Sequence, residues 1–140
     1  MQSSHERGFS LVELLIVVVV VGIIAALSVP LYKKAITASE NSSTFSLVRV
    51  MHQQQTGFFS SQSRYARLDE MNQNYSNNFG AYHDNSLLRG KYTFTMSPVT
   101  PTDAQLKQNF TIIATRTLDN VDVPYVISVD ASGEIVQITP

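Results

Sequence analysis

The sequence predicts an α+β protein: one long N-terminal helix, half transmembrane and half amphipathic, packed on a small four-stranded antiparallel sheet. Three observations carry this. Residues 9–32 are almost entirely apolar. From Leu31 to about Ser60, apolar residues recur at spacings of three and four, the period of a helix with one buried face. After residue 91 the period changes to that of strands, in four β-branched and aromatic runs divided by turn residues.

With 140 residues, the chain can form one domain with a modest core plus a long appended element. Its 10 Lys+Arg against 11 Asp+Glu leave it near neutral, without the basic excess of a general nucleic-acid binder. There is no Cys, which excludes disulfides, a thiolate nucleophile and Cys-ligated zinc. An extracellular location stays open, but the fold must then hold without covalent staples.

Residues 1–8 are a short polar segment ending in Glu6-Arg7-Gly8. Phe9-Ser10-Leu11-Val12-Glu13-Leu14-Leu15-Ile16 follows, then five valines, Val17 to Val21, and a stretch punctuated by Gly22 and Pro30. Leu14 to Tyr32 carries no charge, and as a helix it is about 28 Å long, close to a bilayer core. Lipid imposes helix on such a segment, because the backbone must satisfy its own hydrogen bonds there. Glu13 is the anomaly. It reads equally as a carboxylate at the helix N-terminus, favoured by the dipole, and as a group needing a positive partner in apolar surroundings.

The string Gly8-Phe9-Ser10-Leu11-Val12-Glu13-Leu14-Leu15-Ile16-Val17, with Gly22, Pro30 and Tyr32 beyond, resembles the processing site and N-terminal helix of type IV pilins. That family includes the type II secretion pseudopilins and competence pilins. The resemblance covers about the first 50 residues. It implies the pilin fold, cleavage between Gly8 and Phe9 by a prepilin peptidase, and methylation of the new Phe9 amine. It implies that Glu13 pairs with the Phe9 ammonium of a neighbouring subunit. It also implies a homo-oligomeric helical filament, built by an inner-membrane assembly platform. The precursor would be a single-pass inner-membrane protein, and the assembled form an extracellular pilus. Pro30 lacks an N–H and clashes with the preceding turn, so it is expected to kink or locally melt the helix, with Gly22 a second weak point. Two features run against the motif. Lys33 and Lys34 follow the apolar run, so a positive-inside count does not place the N-terminus in the cytoplasm. Ala26-Leu27-Ser28 also passes as a signal-peptide cleavage site, which would release a protein starting near Val29. The motif outweighs both.

Residues 33–60 read as the amphipathic half of the helix. Phe45, Val48, Met51, Gln55 and Phe58 line its stripe, widened by Leu47, Val50 and Phe59, and helicity is weakest over Thr37–Thr44. Phe9 to Ser60 would be about 78 Å if continuous, too long to be covered by a small head. Residues 61–90 read as a long irregular surface connection with a short helix around Leu68–Asn72. Residues 91–140 hold the strands Tyr92–Met96, Phe110–Thr115, Tyr125–Val129 and Glu134–Ile138, with a hairpin turn at Asp130-Ala131-Ser132-Gly133.

No catalytic constellation is present, and neither an enzyme nor a cofactor or metal is expected. His5 lies in the leader, His52 on the helix and His83 beside Asp84, and each reads as an ordinary surface or satisfied residue. Asp119, Asn120, Asp122 and Asp130 offer oxygens for calcium, but they match no EF-hand spacing and read first as turn residues. The aromatics Phe9, Tyr32, Phe45, Phe58 and Phe59 read as packing rather than stacking along a fibre. Arg64, Arg67, Arg89 and Lys91 form a mild basic cluster; a solvated surface is preferred to DNA contact there. The expected function is a structural pilus subunit, a major pilin serving adhesion, motility or DNA uptake. A pseudopilin, or a minor pilin engaging DNA or a surface, is the alternative.

Overall fold

The computed structural model describes residues 8–116 and 125–138. The chain forms two compact units, divided between Glu40 and Asn41. Helix α1 runs from Leu11 to Gln62 and contributes to both.

In the first unit the backbone is helical from Leu11 onward, Gly22 and Pro30 included. Ser28 turns its hydroxyl back onto the Ile24 carbonyl at 2.8 Å, so it enters this apolar stretch already satisfied. Every residue from 8 to 36 is exposed.

The second unit is a six-stranded antiparallel meander with α1 from Asn41 onward on one face. Its strands are β1 (Ala81–His83), β2 (Ser86–Arg89), β3 (Tyr92–Met96), β4 (Thr111–Arg116), β5 (Tyr125–Asp130) and β6 (Ile135–Gln137), side by side in chain order. Alternation decides which side of the sheet is buried. Tyr92, Phe94 and Met96 of β3, Ile112 and Ala114 of β4, and Tyr125, Ile127 and Val129 of β5 all point inward. Val48 and Met51 of α1 complete this core. Burying one such aliphatic or aromatic side chain contributes roughly 1.5–3 kcal/mol, so the core holds the head together without a disulfide.

Two extra strands separate the structure from the four expected. Segment 61–90, read as an irregular connection, contains helix α2 (Leu68–Asn74) and the β1–β2 hairpin. Asp84 and Asn85 are the two central residues of that hairpin, with φ of 45° and 58°. A two-residue turn with both residues left-handed matches the strand twist, and Asp and Asn tolerate that conformation best after Gly. The two-residue β2–β3 turn differs in having only its first residue, Gly90, left-handed, at φ +60°. This segment also fills the core: Ala66, Leu68, Met71, Phe79 and Leu87 are all buried. A third helix, α3 (Asp103–Leu106), sits between β3 and β4 and is capped by Thr102 and Gln105. The turn at 130–133 forms as expected, with the Gly133 N–H donating to the Asp130 carbonyl at 3.1 Å.

Helix α1 stops at Gln62 because Ser63 turns left-handed at φ 57°, its N–H donating to the Phe59 carbonyl at 2.8 Å. The chain leaving that stop is held by a buried side chain. Gln55 donates from Nε2 to the Ala66 carbonyl at 2.8 Å and accepts the Ala66 N–H at Oε1 at 2.7 Å. Asn72 does the same for the end of α2, accepting from the Phe79 N–H at 3.1 Å and donating to the Gly80 carbonyl at 3.0 Å.

Candidate functional site

The N-terminal site begins outside the helix. Gly8, Phe9 and Ser10 are non-helical, and α1 opens with the Leu14 N–H donating to the Ser10 carbonyl at 3.2 Å. Phe9 is 84% exposed. Glu13 lies in the first turn of α1, where unpaired N–H groups and the helix dipole favour a carboxylate. Glu13 and Phe9 are thus brought to the same end of one helix.

Beyond Glu13 the helix is apolar on all sides. Val17 and Val21 remain 55% and 59% exposed, as do residues on the opposite faces such as Val19 at 52% and Ile23 at 58%. A helix without a polar face is stable only when surrounded, by lipid or by other helices. It is long and apolar enough to cross a membrane. Pro30 contributes no N–H, so the carbonyl four residues earlier, at Ala26, has no helical donor.

A family model described as the prokaryotic N-terminal methylation motif matches residues 3–29. The chain therefore carries an N-terminal methylation motif. It is 38% identical over 62 residues to the type IV major pilin protein PilA of Myxococcus xanthus (strain DK1622), an alignment covering 44% of this chain and 28% of that protein. It is 40% identical over 42 residues to the fimbrial protein EcpC of Eikenella corrodens, covering 30% of this chain and 28% of that one. The chain thus aligns with little more than a quarter of each relative's length. No solved structure matches it significantly. Gly8, Phe9 and Glu13 lie within the matched residues, as does the apolar surface up to Val29. Gly22 lies inside that surface, and Pro30 directly follows it.

In the head, the basic residues are divided among different partners. Arg64 meets Glu70 through both guanidinium nitrogens, at 2.8 and 2.6 Å. Glu70 also accepts the Arg67 N–H at 2.9 Å. The Arg64 hydrogen bond holds the Glu70 carboxyl below the usual carboxylate range, and the same contact raises Arg64. Arg67 donates to Asp103 at the start of α3, and Arg89 donates to the Asn78 carbonyl at 2.6 Å. Lys91 is exposed in the β2–β3 turn. The sequence cluster therefore does not form one open basic patch. Arg116, at the end of β4, is buried and lies 5.9 Å from the Tyr92 ring centre. Asn41 receives hydrogen bonds from both Arg116 and the Tyr92 hydroxyl.

Asp130 accepts from the Ser132 N–H at 2.8 Å and from its hydroxyl at 2.5 Å, which lowers its carboxyl and commits it to the turn. Asp119, Asn120 and Asp122 lie outside the described residues, as does His5. Among the described residues no group of three His, Cys, Asp or Glu is placed to hold a metal ion. His52 lies 6.1 Å from the Phe110 ring, against the β5–β6 turn, and His83 pairs with Asp84 at 2.9 Å on the surface.

Sequence reading placed Gln55 in the helical stripe without seeing its partner, and it missed the roles of Asn72, Asp103 and Arg116. Asp84-Asn85, between Ala81-Tyr82-His83 and Ser86-Leu87-Leu88, was the available signal for the first hairpin.

Proposed function

We propose that this chain is a structural subunit, the major pilin, of a type IV pilus. The observation that carries the proposal is the apolar helix surface after Glu13, exposed on every side of an otherwise well-packed protein and preceded by the methylation motif. Cleavage between Gly8 and Phe9 by prepilin peptidase leaves a new amine four residues from Glu13, and methylation follows there. Glu13 then takes the Phe9 ammonium of a neighbour as its partner, because an apolar filament core does not tolerate a lone carboxylate. The segment between Gly22 and Pro30 loses helicity during assembly, where its hydrogen bonding is weakest. The relative from Myxococcus xanthus bears the name of a major pilin, which favours that role here. The subunit rests in the inner membrane before assembly and lies on the cell surface after it, serving adhesion, motility or DNA uptake.

Mass spectrometry of filaments sheared from cells tests this. The expected result is this chain as the dominant protein, starting at N-methylated Phe9. A mature chain starting at Val29 would overturn the proposal. Short periplasmic fibres, together with loss of enzyme secretion on deletion, would assign a pseudopilin instead.

A further inference from the structure

A groove of about 630 Å³ runs between the last turns of α1 and helix α2. Its size is within the roughly 300–1,000 Å³ of small-molecule sites, but its chemistry differs from most of them. Four carboxamides line it: Gln54 and Gln62 from α1, Gln73 and Asn74 from α2. None of the four makes a side-chain hydrogen bond among the described residues, whereas Gln55 and Asn72, one position away on the same helices, are consumed in holding the fold. Four amides with open donors and acceptors thus face one concavity.

The groove is also neutral. Its two charges, Arg64 and Glu70, neutralise each other at 2.6 Å. Phe58 is half-buried in the wall, and the Arg64 guanidinium covers its ring, 5.2 Å from the centre.

Gly57 stands in the groove wall inside α1, about one and a half turns before its end, where glycine costs about 1 kcal/mol relative to alanine. Close packing does not explain it, since a Cβ there would meet nothing within 4 Å. Its effect is to leave the groove open.

We infer that this groove binds a neutral saccharide. A carboxamide presents a donor and an acceptor side by side, which matches the hydroxyls of a sugar, each of them donor and acceptor at once. Phosphate and other anions would require net positive charge. A peptide would require apolar pockets for its side chains, and Phe58 and Met71 are the only large apolar side chains lining this groove. The inference concerns the head alone and does not depend on assembly into a filament.

The test uses the full chain, nitrogen-15 labelled, in dodecylphosphocholine micelles, which carry no sugar. Glucose, galactose, N-acetylglucosamine and lactose are titrated separately while the side-chain amide signals of Gln54, Gln62, Gln73 and Asn74 are followed. Saturable shifts of these signals with at least one sugar are expected. Gly57→Leu, which projects into open space and spares the core, is expected to abolish them. Gln73→Ala is expected to weaken binding about tenfold, the loss of one good hydrogen bond. The inference is overturned if no sugar shifts these signals up to its solubility limit, or if Gly57→Leu leaves the shifts intact. It is equally overturned if inorganic phosphate, or raising the protein concentration alone, shifts them while sugars do not.

Discussion

Gln55 and Ala66 are joined by two hydrogen bonds inside the core, at 2.8 and 2.7 Å, and both residues are fully buried. One side chain on α1 thereby satisfies both backbone groups of a residue just beyond the helix, and so fixes the direction in which the chain departs. Leaving a buried donor or acceptor unsatisfied costs roughly 1–3 kcal/mol. Gln55→Leu keeps the volume and removes both bonds. It is expected to destabilise the head by about 3 kcal/mol, measured by urea unfolding followed through tyrosine near-ultraviolet dichroism. An unchanged midpoint would show that Ala66 finds other partners.

Gly80 is expected to tolerate no side chain. Its φ is +149°, and an added Cβ would lie 2.5 Å from the Leu88 carbonyl oxygen on the paired strand. Gly80→Ala must push β2 away or change the backbone, and should cost at least about 2 kcal/mol. Gly57→Ala, in open helix, should instead stabilise by about 0.5–1 kcal/mol. Comparing the two variants by thermal unfolding separates a glycine required by geometry from one that is not.

Glu70 predicts an acid-sensitive head. Its carboxyl is lowered by Arg64, so the unfolded chain binds that proton more readily than the folded one. The stabilisation is therefore complete above the unfolded carboxylate range and is lost as pH falls through the lower folded value. Glu70→Gln should cost about 1 kcal/mol at neutral pH, the upper end for a partly exposed pair. Below about pH 4 the difference from the wild type should shrink as the unfolded chain takes up the proton, and it should vanish once pH is below the folded value, where both lack the charge. Urea midpoints measured from pH 7 downward test this, and a constant gap would exclude the pair as its source.

Glu13→Ala is expected to leave the protein inserted in the membrane but poorly assembled. Removing a carboxylate from an apolar segment makes insertion easier, while under the proposed pairing the neighbour's Phe9 ammonium would lose its partner. Fractionation and imaging of sheared material read the two effects separately. Normal filaments from this variant would refute the pairing.

What was legible in the sequence followed from local pattern. The apolar run after Phe9 needed only its length and its lack of charge. The strand at Tyr92 announced itself by alternation, those at Thr111 and Tyr125 by β-rich runs between turn residues, and a short helix was expected around Leu68–Asn72. The β1–β2 hairpin was obscured because Asp84-Asn85 lacks the glycine that usually marks such a turn, and three-residue strands show almost no period. The partners of the basic cluster were hidden for a related reason: neighbours in sequence, Arg64, Arg67 and Arg89, are assigned to Glu70, Asp103 and Asn78 by distances that sequence does not contain.

The sequence by itself therefore determined the N-terminal half of this protein's character. A methylation motif, a carboxylate and an apolar helix are contiguous properties, and the apolar helix requires a surrounding medium whatever the head looks like. Tertiary structure alone decided how the polar residues of the head divide between holding the fold and facing outward. Gln54 and Gln55 are adjacent and chemically identical, yet one lines an open groove and the other is sealed against Ala66. A rotation of about 100° per residue around the helix separates solvent from core, and only the packed sheet and α2 determine which side is which.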